Sequence, residues 1–414
     1  MKAINLRALL LGASIAAAAA WLTTPVALAA DAKAQQPSPK VAKPLHEAQE
    51  DLKAKKYTDA ITKLREADAV TPKTAYDQHV INDFFGNAYI NTQNYAEAAK
   101  SYEAELDDGF LPEADKPQKI RAIAELEYQL KNYDKVVDYA NRAVKGGFAD
   151  ERMNTLLAQS YYLKGDYKNT LKFVDGQVDK TMKAGETPKK ETLLLVYSAC
   201  QKLNDDSCQT KSMEHLVQYY PAPDYWSQLL FQLRQQSGNN DADTLQTYRL
   251  MSEVDVMKTP SDYNEMAQLA LEAGSPGEAQ STLQKAFQKN IFTDKLTADR
   301  NQRLLDNAKK AATTDQASLP RLEKEADAAP TGAKNVGVGL AYLGYGQFDK
   351  AADELNKGLT KGGVKDEQQA RLLLGIAQLK GGHKDDAVKS FKAVKGDPTL
   401  ERLANLWTLH AKAA

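Results

Sequence analysis

The feature that most constrains the fold of this chain is the stretch at residues 337–358, which reads GVGLAYLGYGQFDKAADELNKG. Gly339 and Tyr342 share one helical face, and Phe348 begins a second helical face after a turn at Gly346. A small residue where two helices cross lets their backbones approach, and an aromatic ring after the turn fills the wedge between them. The stretch therefore predicts a helical hairpin.

This hairpin pattern recurs along the chain. An aromatic residue stands three positions before a small or β-branched residue at the start of each predicted second helix, in the pairs Tyr57 with Ala60, Tyr95 with Ala98, Tyr133 with Val136, and Tyr167 with Thr170. The aromatics are 38, 38 and 34 residues apart. In residue order and spacing the chain resembles the tetratricopeptide repeat (TPR) family, whose period is 34 residues. The resemblance implies an all-α fold, a right-handed superhelical α-solenoid of about ten TPR-like hairpins plus a C-terminal capping helix.

The repeats fall into segments of different regularity. TPR repeats are predicted at residues 44–185 and 331–397, degenerate TPR-like repeats at 186–330, and a capping helix at 398–414. In the weakest unit, Pro320 predicts the first turn of a helix that is capped by Ser318. Residues 30–43 contain two prolines and no large apolar residue besides Val41, so they predict a disordered lead-in.

The N-terminus has the parts of a secretory signal peptide. Lys2 and Arg7 precede an apolar run that ends at Leu22, and a small-x-small site ends at Ala29. The run is shorter than the roughly 20 residues that span a bilayer. This favours a cleaved signal peptide at residues 1–29 over a retained anchor helix. The interpretation is a protein exported to a bacterial periplasm, with no transmembrane segment after cleavage.

Charge and motifs argue against several classes of function. The formal net charge is -1 and no long basic run occurs, which argues against nucleic acid as a partner. The glycine pair at 337 and 339 lacks the third glycine of a dinucleotide loop, whose place is taken by Tyr342. His46 begins no zinc-protease motif because Glu50 stands where the second histidine belongs, and the five histidines have no metal-ligand spacing. The sequence therefore predicts no metal, no cofactor and no enzyme activity.

Cys200 and Cys208 are the only cysteines. In an oxidising compartment such a pair is a candidate disulfide, here across the turn between two helices. The bond would substitute for the aromatic that Ser207 replaces, and it would contribute about 2–3 kcal/mol. Two free thiols are the alternative, because the predicted register places Cys208 toward solvent.

In TPR proteins the concave groove is lined by the first helices, through side chains at the second, fifth, ninth, twelfth and thirteenth positions of each repeat. On the best-aligned repeats of this chain, the resemblance implies a partner-binding groove of Asp83, Asn87, Ile90, Arg121, Glu125, Tyr128, Arg152, Gln159 and Tyr162. Tyr128 and Tyr162 would form an aromatic ladder flanked by arginines, which suits an extended peptide or a partner helix. Alternatively, these tyrosines pack between neighbouring hairpins.

A second resemblance concerns the middle of the chain. The Tyr- and Pro-rich segment at residues 219–226, together with residues 263–292, resembles exported TPR proteins found with Ton-type energy-transduction systems. The resemblance implies a periplasmic accessory of an outer-membrane uptake complex. The main hypothesis is a non-catalytic periplasmic scaffold that binds envelope proteins or peptides through its concave groove. The alternatives are a cell-wall (peptidoglycan) enzyme or activator, and a polysaccharide-secretion or assembly factor.

Overall fold

The protein is all-helical in the part of the chain that the structure describes. This computed structural model describes residues 36–236 and 240–413, which form twenty α-helices and no strand. The predicted signal peptide at residues 1–29 lies outside the described residues. The helices group into two compact units: unit 1 runs to Glu186 and includes Ser198–Asp205, and unit 2 comprises Thr187–Tyr197 and the chain from Asp206 onward.

Helices α1–α8 belong to unit 1 and α10–α20 to unit 2, while α9 contributes residues to both. The first ten helices are α1 (Pro39–Lys53), α2 (Tyr57–Asp68), α3 (Ala75–Asn91), α4 (Tyr95–Asp107), α5 (Lys116–Gln129), α6 (Tyr133–Lys145), α7 (Glu151–Leu163), α8 (Tyr167–Lys183), α9 (Lys190–Lys202) and α10 (Asp206–Tyr219). The others are α11 (Pro223–Gln236), α12 (Asp241–Glu253), α13 (Pro260–Glu272), α14 (Pro276–Gln288), α15 (Lys295–Ala328), α16 (Ala333–Gly344), α17 (Phe348–Lys361), α18 (Glu367–Lys380), α19 (Lys384–Lys392) and α20 (Pro398–Ala413). None of these helices combines the length and the apolar composition required to cross a bilayer.

Eight of the described hairpins use the same tight turn. Two positions before the second helix, a residue adopts a left-handed backbone, as Gly346 does with φ 71° and Lys131 with φ 62°. The N–H of the next residue donates to the carbonyl five residues earlier, for example from Gln347 to Tyr342 at 3.0 Å. This bond satisfies a carbonyl that the end of the first helix leaves free. A short turn of this kind makes the two helices antiparallel neighbours.

The predicted hairpin marker is confirmed. Helices α2, α4, α6 and α8 begin at the four predicted tyrosines. The small residue three positions later is fully buried in each case, at Ala60, Ala98, Val136 and Thr170. The same position is filled in unit 2 by Ala279, Ala351 and Ala387, which are also fully buried. Small side chains here let the paired helices pack closely.

Helix α1 begins inside the predicted disordered lead-in, so that prediction is wrong from Pro39 onward. Val41 is fully buried in the core of unit 1. Ser38 donates from its backbone N–H to Asp77 Oδ1 at 2.7 Å and from its hydroxyl to Asp77 Oδ2 at 2.9 Å. One apolar side chain and one buried carboxylate on α3 therefore order a segment whose composition alone favours disorder.

Helix α15 corrects a second prediction. It is one continuous helix of 34 residues with Pro320 inside it, rather than a hairpin that restarts at this proline. The Ser318 hydroxyl donates to the carbonyl of Asp315 and caps nothing. An apolar stripe from Leu305 to Ala326 stays buried on both sides of the proline, which compensates for the missing hydrogen bond. The described helices therefore form nine hairpins, the single helix α15 and a final helix. The predicted all-α fold of about ten consecutive TPR-like hairpins with a C-terminal capping helix is confirmed, and only the unit at α15 differs.

Helix α20 begins at Pro398, as predicted, and covers α18 and α19 with a face that includes the fully buried Trp407. It also packs against α10 and α12, near the start of unit 2. Arg402 donates to Glu214 of α10 at 3.1 Å, and Glu253 of α12 pairs with Lys380 of α18 at 2.6 Å. Repeats of an open solenoid contact only their neighbours. Unit 2 closes on itself in the sense that its last helix, α20, also contacts α10 and α12, which are among its first.

Candidate functional site

The nine predicted groove residues lie on three successive first helices of unit 1: α3, α5 and α7. On α5, Arg121, Glu125 and Tyr128 have the spacing i, i+4, i+7, which places them on one helical face. None of the nine side chains is fully buried. The nine residues are called the first-helix face below.

At the α3 end of the first-helix face, Asp83 shares a lysine with a buried glutamate. Lys119 of α5 lies 3.0 Å from Asp83 and 2.7 Å from Glu105, and its ammonium sits 3.8 Å from the centre of the Tyr102 ring. Burial, together with the nearby Asp83 carboxylate, raises the pKa of Glu105 to about 7 although Lys119 opposes the shift. One cation thus holds two carboxylates where α3, α4 and α5 meet.

The remaining α3 positions are less polar. Asn87 accepts from the side-chain amide of Asn91, one turn later on the same helix. Ile90 is partly buried and packs against the core of unit 1. No hydrogen bond within the described ranges joins Asn87 or Ile90 to α5, so packing on the core positions this part of the face.

Charged side chains link α5 to α7 in the middle of the first-helix face. Arg152 pairs with Glu125 at 2.7 Å, and Arg121 donates to the carbonyl of Phe148 at 2.6 Å while lying 3.5 Å from Asp150. Burial raises the pKa of the Glu125 carboxyl, and the two arginines oppose that shift. The side chains of Arg121 and Arg152 remain 40% and 44% exposed, so each still presents N–H groups to solvent.

The two tyrosines each bond to the next first helix. Tyr128 donates to Gln159 of α7 at 2.9 Å, and the Tyr162 hydroxyl lies 2.6 Å from the Ser198 hydroxyl of α9. Each ring also meets the tyrosine that begins the next helix edge to face, Tyr133 at 5.8 Å and Tyr167 at 5.3 Å between centroids. The hydroxyls therefore serve packing between neighbouring hairpins, while the rings stay partly exposed. The contacts agree with packing between neighbouring hairpins, and the role of these tyrosines in binding a partner stays a prediction.

Sequence reasoning missed three residues that bond at or next to this face: the buried Glu105 and Ser198 and the partly buried Lys119. The sequence does indicate that Glu105 is buried, because it continues the stripe of buried positions Ala98 and Tyr102 on α4. An acid on an apolar stripe must find a cation or a proton when it is buried. Its partner is Lys119, which lies on another helix, α5. The spacing of the repeats alone does not show which lysine would pair with Glu105.

The other sequence candidates are the two cysteines and the histidines. Both cysteines are disulfide-bonded in the structure, with Cys200 fully buried and Cys208 partly buried. Among the described residues, no group of three or more His, Cys, Asp or Glu side chains is arranged to hold a metal ion. His79 pairs with Asp108 at 2.9 Å, and His383 pairs with Asp349 at 3.0 Å.

No family model matches the chain, and no curated protein matches it. The solved structures that the chain matches include Naa15/Naa10 bound to HypK-THB, which is 16% identical over 90% of this chain with a TM-score of 0.34. The TPR2AB domain of yeast Sti1, in a complex with pHSP90, is 15% identical over 72% of this chain with a TM-score of 0.25. The maize pentatricopeptide repeat protein PPR10 is 16% identical over 91% of this chain with a TM-score of 0.31.

The chain spans 62% of the Naa15/Naa10 chain, 99% of the Sti1 chain and 52% of the PPR10 chain. The Sti1 neighbour is a TPR domain, and PPR10 is a pentatricopeptide repeat protein.

Proposed function

We propose that this protein is a non-catalytic scaffold that binds a protein or peptide through the first-helix face of unit 1. Its location would be the periplasm, reached through the signal peptide at residues 1–29, and its partner would be a component of the cell envelope. The resemblance to TPR proteins of Ton-type systems suggests an accessory role in an uptake complex.

One observation carries this proposal: Arg121, Glu125, Tyr128, Arg152 and Tyr162 bond to neighbouring helices or loops and are still partly exposed. Arg152 is held by Glu125 at 2.7 Å, and Tyr128 by Gln159 at 2.9 Å. Side chains that are fixed before binding lose little conformational entropy when a partner arrives. Tyrosine and arginine are also the residues that most often dominate binding energy at protein interfaces.

The arrangement favours a peptide or helix over a small molecule. The face extends across α3, α5 and α7, and its polar groups are spread along it. A small-molecule site instead concentrates a few polar groups in an enclosed pocket. An extended face of amides, charges and aromatic rings suits a partner that makes many separate contacts.

The test is capture of partners by crosslinking in the native envelope, followed by mass spectrometry and a binding assay with the captured partner. The double variant Tyr128→Ala with Tyr162→Ala should weaken binding about tenfold or more, because two aromatic anchors are removed. The matched control Tyr128→Phe with Tyr162→Phe removes only the hydroxyls, which face neighbouring hairpins, and should bind within about threefold of wild type.

Helicity and melting temperature distinguish a binding defect from a folding defect. Both double variants should keep the helical content of the wild type. An alanine variant that binds normally, or one that loses its fold, would contradict the assignment of the face. Turnover of purified peptidoglycan by the protein would contradict the scaffold and favour an enzyme.

A further inference from the structure

Unit 2 contains an open cleft of about 910 Å³ that is built only from its own residues. Its lining comes chiefly from α12, α14, α15 and α18, with the turn between α16 and α17 at one side. Neither the repeat pattern nor the first-helix face of unit 1 accounts for this cleft. Its volume lies within the range of ligand-binding pockets.

The walls of the cleft are fixed by a close helix approach. At Gly277 of α14, a Cβ atom would lie 2.4 Å from the Tyr345 ring, so only glycine lets that ring cover the helix here. The Tyr345 hydroxyl donates toward Asp315 Oδ2 at 2.7 Å and lies 3.2 Å from the carbonyl of Ala312. One side chain therefore fastens the end of α16 to both α14 and α15.

The charges that line the cleft leave a positive surplus. Arg249 and Glu278 form a bidentate pair at 2.8 and 2.6 Å, and Lys380 pairs with Glu253 at 2.6 Å, so these four charges compensate one another. Two further cations line the cleft, Lys285 and Lys309. Lys285 donates to the carbonyl of Ser252 at 3.0 Å and lies 3.4 Å from Asp255, which is outside the lining.

Lys309 is the cation that nothing in the described part of the chain neutralises. It is exposed at the cleft, and its ammonium group has no hydrogen bond or ion pair with any residue that the structure describes. Thr313 and Gln316 follow it at i+4 and i+7 on the same face of α15, so the three form a polar stripe along the cleft. A ligand that lies along this stripe meets a positive charge at one end and an amide at the other.

Unbonded amides complete the lining. Gln280 and Gln284 stand one turn apart on α14, and their side chains, like that of Gln316, bond to no residue in the described ranges. Their separation along the helix, about 6 Å, is close to the spacing of roughly 6.6 Å between like-oriented peptide groups of an extended chain. A primary amide offers a donor and an acceptor, which is what a peptide group requires.

The aromatic side chains that line the cleft argue against a sugar as its ligand. The Tyr345 ring is covered by Gly277, and the Lys380 ammonium stands over the Phe348 ring at 5.8 Å. A protein group therefore already contacts one face of each ring, which leaves less aromatic surface on which a sugar could stack. We propose that this cleft is a second binding site, which takes an extended acidic peptide segment of a partner protein: Lys309 receives a carboxylate, and the glutamines at 280, 284 and 316 bind its backbone.

The experiment measures fluorescence anisotropy of the full chain with a labelled octapeptide of alternating Ala and Glu. The matched peptides replace Glu by Gln or by Lys. The acidic peptide should bind, the other two should bind at least about tenfold more weakly, and affinity should fall between about 50 mM and about 300 mM salt. Lys309→Gln should weaken binding about three- to fivefold, and Lys309→Gln combined with Gln284→Ala about tenfold.

Lys310→Gln is the matched control, because Lys310 is exposed on α15 but does not line the cleft. It should stay within about twofold of wild type. Equal losses in the two lysine variants, or no preference for the acidic peptide, would overturn the site. Binding of an acidic oligosaccharide in place of the peptide would overturn the ligand class. The Tyr128→Ala, Tyr162→Ala variant should bind the acidic peptide normally, because neither tyrosine lines the cleft. The proposal for this cleft and the proposal for the first-helix face are therefore tested separately.

Discussion

Single residues decide how closely the helices of each hairpin approach. Helix α16 contains two glycines that look equivalent in the sequence, Gly337 and Gly339. A Cβ atom at Gly339 would lie 2.7 Å from Leu355 Cγ and 3.2 Å from the carbonyl of Ala351, whereas a Cβ atom at Gly337 would meet nothing within 4 Å. Only the second glycine is required by the crossing of α16 and α17.

We therefore expect Gly339→Ala and Gly337→Ala to change stability in opposite directions. Gly339→Ala should lower the free energy of unfolding by about 1–3 kcal/mol, because the backbone of α17 must move. Gly337→Ala should raise it by about 0.5–1 kcal/mol, because alanine loses less conformational freedom in a helix. Urea unfolding measures both, and equal destabilisation by the two variants would contradict the crossing at Gly339.

At the scale of the element, α15 departs from the repeat. Its 34 residues exceed every other helix among those described, and Pro320 lies in its interior. The proline has no N–H for the carbonyl of Gln316, and its ring crowds that carbonyl. Burial of Leu319 and Ala326 nevertheless keeps the helix continuous. Tertiary packing has overridden a local preference to break the helix.

This account predicts that Pro320→Ala stabilises the protein. The free energy of unfolding should rise by about 1–3 kcal/mol, since a hydrogen bond is restored and the steric conflict is relieved. Lys324→Ala, at an exposed position one turn later, serves as the control and should change stability by less than about 0.5 kcal/mol. A loss of stability in Pro320→Ala would mean that the proline terminates a helix after all.

At the scale of the whole molecule, the described chain forms two compact units, and unit 2 joins its last helices to its first. Glu253 on α12 lies at this closure, 2.6 Å from Lys380 and 3.7 Å from the His410 imidazole of α20. His410 and then Lys380 lower the pKa of the Glu253 carboxyl to about 2. Because the pKa is lower in the folded state, the ionised carboxylate stabilises the closure.

The sign of this shift fixes its pH dependence. The stabilisation is fully present above the ordinary glutamate pKa of 4.5 and is lost as pH falls from there toward about 2. At neutral pH, Glu253→Gln should lower the free energy of unfolding by about 1–2 kcal/mol after allowance for solvent screening. The difference from wild type should shrink as pH falls below 4.5 and be nearly absent near pH 2.

Glu367→Gln is the control for this measurement, because Glu367 forms an exposed pair with Arg371 within one helix. Such pairs contribute little to stability. If both glutamine variants show the same pH profile, the closure does not depend on Glu253. Thermal melts followed by circular dichroism at several pH values provide the comparison.

Much of the fold was predictable because the same spacing of aromatic and small residues recurs in successive repeats. The four tyrosines that begin α2, α4, α6 and α8, and the small residues that follow them, can be read from the sequence because helix pairing requires them. The groove positions could be placed on helices by the same register. Their bonds could not be predicted, since Lys119 and Ser198 come from helices whose relative positions depend on packing.

The sequence by itself determined the local repeat: which residues form hairpins, where the turns fall, and which small side chains lie at each crossing. These depend on interactions within about 35 residues, which the TPR period records. Only the tertiary structure decided that α15 runs through Pro320, that Glu105 shares Lys119 with Asp83, and that α20 returns to α10 and α12. Those outcomes depend on contacts between distant segments, where burial and charge pairing outweigh local preference.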